Sequence, residues 1–314
     1  MDSSDHPELE LEYVACNLCG STEYIVRFPD TLTASLDGGE WRAFRCTHPG
    51  YGVHPPIVAC QQCGYVYTNP RVKVETIREN YQMVEDPLYL QERPAREVTF
   101  RHHLRHLERY TGPAAGRRLL DVGAYIGVFV EVAAEAGWDA WGVEPSAWGV
   151  KVAEERGLNM VRGTLEEADL PDESFDILTM WDVIEHLTDP AGGLAEAFRI
   201  LKPGGWIAAH TMDIDSLFSR LMGARWPWLM EMHIHYFSRR TLGEMLEKAG
   251  FEVASIKPEG RYLNIGYLTT RLYSYSPPIA GAVEAVARLT GLDRLPVPVN
   301  FGDLVTAYAQ KPAD

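Results

Sequence analysis

The sequence predicts an α/β protein, a largely parallel sheet flanked by helices, preceded by a small metal-binding module. Three observations carry that reading. The stretch LLDVGAYIGVFVEVAAEAGWDAWGVEP, residues 119–145, reads as a strand, a glycine turn, a helix and a second strand that ends in an acid. Ahead of it stand two matched C-x-x-C-G pairs, Cys16/Cys19 and Cys60/Cys63. The composition, 46% apolar and 23% charged, is that of an ordinary globular chain.

The totals also narrow the function. Lys plus Arg number 29 against 44 Asp plus Glu, a net charge of −15. Such a surface repels phosphate backbones, so no nucleic-acid partner is expected. The N-terminal MDSSDHPELELEY is acidic and lacks the apolar core of a signal peptide. No uncharged apolar run approaches the roughly 18 residues a spanning helix needs. Four of the five cysteines fall in the C-x-x-C pairs. Without a secretion signal, that pattern points to metal or redox chemistry before disulfides, and the expected location is cytoplasmic.

In each C-x-x-C-G turn two sulfurs face one ion, and the glycine (Gly20, Gly64) supplies the left-handed backbone that closes the knuckle. Cys16, Cys19, Cys60 and Cys63 together make a closed thiolate tetrahedron, for which a structural zinc is the natural occupant. Between the pairs, EYIVRF and EWRAFRC read as strand-like pieces, and Cys46, His48 and His54 as bystanders. The module is expected over residues 1–75, followed by a helical linker or lid over 76–116 that ends in TGPAAGRR. In that lid His102 and His106 have the four-residue spacing of ligands on one helix face. With no acidic third ligand beside them in the sequence, they read as a solvated face.

In the main domain, RLLDVG is a buried strand ending at Asp121 and Gly123, and FVEVAAEAGW a helix that starts near Gly127 and stops at Gly137. DAWGVEP is the second strand, with Glu144 at its end. Such a βαβ unit binds its ligand outside the strands' carboxyl ends. The glycines do not make the G-x-G-x-x-G of a dinucleotide turn. The stretch resembles motif I of class I S-adenosylmethionine (AdoMet)-dependent methyltransferases, D/E-x-G-x-G-x-G, matched by Asp121, Gly123, Tyr125 and Gly127. Tyr125 replaces the central glycine, which is tolerable if its φ stays negative and its side chain points away from the ligand.

The resemblance runs on through LNMVRG, FDILTMWDVIEHLTDP, RILKPGGWIAAHTM, HYFSRRTLGEMLEKAGFEVASI and DLVTAYAQKP, covering residues 117–314. It implies a Rossmann-like seven-stranded methyltransferase sheet, mostly parallel with the last strand antiparallel, with an insertion at about 259–302. It also implies an AdoMet site. Asp121, Gly123, Ala124, Tyr125 and Gly127 would surround the methionine end, and Glu144 with Pro145 the ribose. Thr164 and Leu165 would flank adenine, with Trp181 and Asp182 at the reactive end. With the four-cysteine module in front, the chain resembles a bacterial subgroup whose members methylate nucleotide-linked deoxysugars.

A hydroxyl or carbon nucleophile needs a base. His186, with Glu185 beside it, follows the fourth strand. His233 and His235 in EMHIHYFS are a second candidate pair, placed by alternation on one face of an extended segment. The expected activity is methyl transfer from AdoMet to a small-molecule acceptor, a sugar or glycosyl-bearing metabolite first. The rival is a non-catalytic protein that binds AdoMet or S-adenosylhomocysteine and signals through its zinc module. The helix IAGAVEAVARLTGL of the insertion is expected to pack on the sheet, with a homodimer contact or a lipid-collecting face as alternatives.

Overall fold

The computed structural model describes residues 11–32, 41–48, 51–273 and 276–313. Its centre is a seven-stranded sheet of β1 (Arg118–Val122), β2 (Asp139–Glu144), β3 (Asn159–Arg162), β4 (Phe175–Trp181), β5 (Leu201–Met212), β6 (Glu252–Pro258) and β7 (Leu304–Gln310). The order is β6-β7-β5-β4-β1-β2-β3. All pairings are parallel except those of β7, which runs antiparallel to β5 and β6. This is the expected sheet. β1 and β4 are covered on both faces, which is why RLLDV and FDILTMW read as continuous apolar runs. The order reverses between β1 and β4, and the crevice at their carboxyl ends holds the candidate site.

The helices are set by local signals. Ahead of the sheet lie α1 (Val74–Met83), α2 (Pro87–Gln91), started by the Asp86 carboxylate, and α3 (Arg93–Thr111). Between strands, α4 (Val128–Glu135) opens at Gly127, and α5 (Ala147–Glu154) is capped by the Ser146 hydroxyl. α6 (Pro190–Ile200) is capped by Asp189. After β5 come α7 (Leu217–Met222) and α8 (Arg239–Lys248), the latter started by a Ser238/Thr241 capping box.

The N-terminal residues are tied into this body. Strands Tyr24–Phe28, Ile57–Cys60 and Val66–Thr68 form an antiparallel sheet whose fourth strand, His235–Tyr236, comes from the segment after β5. The first knuckle meets α6, where Asn17 donates to Asp189 at 2.7 Å and accepts from the Ala191 amide at 2.8 Å. From α8, Arg240 donates to the Cys63 carbonyl at 2.7 Å and Lys248 to that of Leu18 at 2.5 Å. One element differs from expectation. EWRAFRC contains a 3-10 turn, Trp41–Phe44, not a strand. The turn lets both Ala43 and Phe44 face inward, with the Phe44 ring edge-on to Tyr81 of α1 at 5.0 Å.

The insertion also departs from expectation. Its hairpin, Arg261–Asn264 against Pro296–Val299, docks on α3, where Thr99 bonds both the amide and the carbonyl of Tyr262. That hairpin carries α9 (Ile265–Leu272) and α10 (Pro277–Thr290) away from the sheet. α10 therefore packs on α9 and leaves Ile279, Val286 and Leu289 60%, 60% and 87% exposed.

Candidate active site

A cavity of about 1090 Å³, its mouth included, opens at the carboxyl ends of β1, β2 and β4. Gly123, Tyr125, Glu144, Pro145, Thr164, Leu165, Asp182 and His186 of the expected residues line it. Asp121, Ala124, Gly127, Trp181, Glu185, His233 and His235 stand outside that lining. The backbone explains the floor. Gly123 has φ +66°, and a Cβ there would come within 2.6 Å of a Val183 methyl group, so a side chain at this position would be strained and would push on the cavity lining. Gly127 is a packing glycine, since its Cβ would strike Leu158 at 2.6 Å.

Glu144 is prepared without a ligand. It is buried, and its two carboxylate oxygens accept from the backbone amides of Tyr125 (2.9 Å) and Ser146 (2.8 Å). Burial pushes its carboxyl up to about 7, and the two amides pull the other way. Asp121 lies beneath the turn, accepts from the Thr179 hydroxyl at 2.7 Å, and is pushed by burial up to about 8.

Tyr125 corrects the expectation of a negative φ. Its φ is +50°, the left-handed region glycine would occupy in this motif. The ring turns from the cradle to lie edge-on to Tyr89 at 4.7 Å, with Trp148 at 5.6 Å. Gly149 makes the room, since a Cβ there would stand 3.0 Å from the Tyr125 carbonyl oxygen.

Just past the end of β4, Asp182 also has a positive φ, +57°. Burial alone would raise it, but Arg261 (3.0 Å), with His210 and His103, holds it at about 2. Behind it, Glu185 is 1% exposed, and burial together with the Asp182 charge pushes its carboxyl up to about 8. Its backbone carbonyl accepts from the amides of Ile234 and His235, which draws the later segment onto the site. Nδ1 of His186 bonds the Met232 carbonyl at 2.8 Å, and Nδ1 of His233 bonds the Trp228 carbonyl at 2.7 Å. The two rings are 4.8 Å apart. Burial lowers both, His233 to about 3.

His235 does not share a face with His233. The His233 amide closes a turn onto Met230, and the extended pairing begins only at His235. That ring stacks on Tyr65 at 5.7 Å, inside the small sheet. Sequence reading also missed the roof, Phe44, Cys46, Ile77, Tyr81 and Met232, which comes from the N-terminal residues, α1 and the segment after α7. Cys46 thus borders the cavity, away from the other cysteines. On α3, His102 and His106 do have an acidic neighbour. Glu259 meets Nδ1 of His106 at 2.5 Å while taking the Tyr308 hydroxyl at 2.7 Å on its other oxygen.

One sulfur atom from each of Cys16, Cys19, Cys60 and Cys63 lies within 4.8 Å of the others, with Cys16–Cys63 and Cys19–Cys60 at 3.5 Å. A zinc tetrahedron with bonds of about 2.3 Å has sulfur–sulfur edges of about 3.8 Å, so the four thiols fit that ion. Gly20 and Gly64 have φ +79° and +72°, as the knuckles require.

Sheet order, the glycine turn after β1 and the buried acid at the end of β2 are those of a class I AdoMet-dependent methyltransferase. A family model described as a methyltransferase domain matches residues 90–256, and the chain belongs to that family. It is similar to a ubiquinone biosynthesis O-methyltransferase of Bordetella avium, 26% identical over 168 residues, covering 49% of this chain and 70% of that protein. It is also similar to a probable S-adenosylmethionine-dependent methyltransferase of Mycolicibacterium smegmatis, 33% identical over 156 residues. That match covers 49% of this chain and 59% of the relative. Among solved structures, a chain in the complex of the Haloferax volcanii Trm112 methyltransferase activator with its putative methyltransferase superposes with a TM-score of 0.53. The match covers 73% of this chain and 99% of that one, and at 17% identity it shows the fold alone.

Proposed function

We propose that the protein transfers the methyl group of AdoMet to a hydroxyl of a small cyclic acceptor, and that its four cysteines hold a structural zinc. The observation that carries the reading is Glu144, whose carboxylate is already oriented by two amides toward the cavity. An ionised carboxylate in that position accepts from both hydroxyls of a ribose diol. Gly123 admits the methionine end to the backbone, and Thr164 and Leu165 border the adenine side.

AdoMet supplies an electrophilic methyl group on a sulfonium. The protein's part is to bring an oxygen in line with it and to deal with the hydroxyl proton. A carbonyl only accepts, so the Met232 contact fixes the proton of His186 on Nδ1 and leaves the Nε2 lone pair for the acceptor. Burial keeps that ring neutral. The named O-methyltransferase relatives favour oxygen over carbon as the nucleophile. Phe44, Tyr81 and Met232 give the roof an apolar and aromatic surface that suits a ring-shaped acceptor, sugar or phenol.

Calorimetric titration of AdoMet and S-adenosylhomocysteine into the wild type and Glu144→Ala tests the cradle. S-adenosylhomocysteine release over a panel of hydroxylated sugars and phenols tests the transfer. Binding lost in the variant, with turnover on one acceptor class, supports the reading. An absence of heat with either ligand in the wild type defeats it.

A further inference from the structure

We propose that Glu185, His186 and His233 bind a divalent transition-metal cation at the reactive end of the cavity, with an open position for the acceptor oxygen. The inference rests on the methyltransferase reading and deepens it, because His186 then meets the acceptor through the cation.

One potential ligand atom of each residue lies within 4.8 Å of the other two. The tautomers decide what those atoms are. Both histidines give Nδ1–H to a main-chain carbonyl, Met232 at 2.8 Å and Trp228 at 2.7 Å. Their Nε2 atoms therefore carry lone pairs. This is the outer-sphere arrangement that orients histidine ligands in metal sites. The third member is a carboxylate on a residue 1% exposed, whose Oε2 has no hydrogen-bond partner among the described residues. Two imidazoles whose Nε2 atoms carry lone pairs and a buried carboxyl are thus grouped within reach of one ion. A proton on Glu185 satisfies the carboxyl alone and gives the second imidazole no partner of its own. A cation satisfies all three.

Two imidazoles and one carboxylate suit zinc, iron(II) or manganese(II) and leave coordination positions free. His186 lines the cavity while Glu185 and His233 stand behind it, so the free side faces the acceptor space. A hydroxyl bound there loses its proton more readily. The O–H bond breaks and the proton passes to water at the cavity mouth. The oxygen pair forms the bond to the methyl carbon, and the pair of the broken S–C bond stays on sulfur.

Manganese(II) is the probe, because imidazole and carboxylate accept it and the four thiolates favour softer ions. Electron paramagnetic resonance of the full chain, titrated with manganese(II), should show one tightly held ion per chain. Binding should be lost in His233→Ala and in Glu185→Gln. The conservative His233→Gln checks against a folding defect, and calorimetry with AdoMet must show each variant still binding the cofactor. Chelation should lower turnover, and manganese(II) or zinc should restore it. Absence of bound manganese(II) and zinc beyond the four-cysteine site, with turnover indifferent to chelators, overturns the inference and leaves the methyltransferase reading intact. Failure of the wild type to bind AdoMet overturns that reading, whatever the metal result.

Discussion

Glu144 and Glu185 are buried carboxyls at two ends of one cavity region, and both are pushed upward by burial, to about 7 and about 8. Their surroundings are opposite. Glu144 has two backbone amides on its oxygens, while Oε2 of Glu185 has no partner among the described residues and neighbours two imidazoles. The difference teaches what each end awaits. A carboxylate held by amides is ready for neutral hydroxyls, with its desolvation already offset. A carboxylate grouped with lone pairs is matched to positive charge or to a proton.

The largest test of this contrast is His186→Ala. Turnover should fall by about 10²–10⁴-fold, the range for losing a group that handles the acceptor proton, while calorimetry finds AdoMet affinity unchanged. Equal loss in both quantities would merge the two ends into one site. Next is Glu144→Ala, expected to weaken AdoMet binding by about 1–3 kcal/mol, the penalty for charge-assisted hydrogen bonds left unmade. Manganese(II) binding at the other end should survive it.

The pH dependence sharpens the comparison further. Ribose hydroxyls donate to the ionised form, so AdoMet affinity should rise as pH climbs toward about 7 and then level off. Calorimetry across pH 5–9 should find this slope flattened in Glu144→Gln. The ligand-free protein should move the other way. The folded-state values of Glu144 and Glu185 lie above the ordinary 4.5, so their contribution to stability is complete below that value. It is lost as pH rises through about 7 and about 8, and the melting temperature should fall over that window. The smallest effect belongs to Tyr125→Phe. The hydroxyl is buried with no partner among the described residues, so its removal should change stability by less than about 1 kcal/mol, in the stabilising direction. The backbone amide that serves Glu144 remains.

The cradle was legible because it is local. Strand, turn, helix and acid span residues 119–144, and their order follows from apolar runs and glycines. Tyr125 was legible as a departure but not in its backbone, because the accommodating Gly149 belongs to the next helix. At the other end His186 and His233 were visible as residue types. Their meeting was not, since it depends on the Glu185 carbonyl holding the amides of residues 234 and 235. The same kind of distance hid Glu259 from His106 and the roof from the cavity. Alternation misjudged His235 because the segment turns at His233 before it becomes extended.

The small sheet has a consequence for how the chain is made. Strand Val66–Thr68 is bordered by His235–Tyr236, which emerge from a ribosome much later. At roughly 5–20 residues per second the open edge waits about 8–35 s for its neighbour. Through that interval it is available to any other extended chain. Birth order therefore makes the front of this protein dependent on its rear, and a nascent chain cut short in the sheet would leave that edge unclosed.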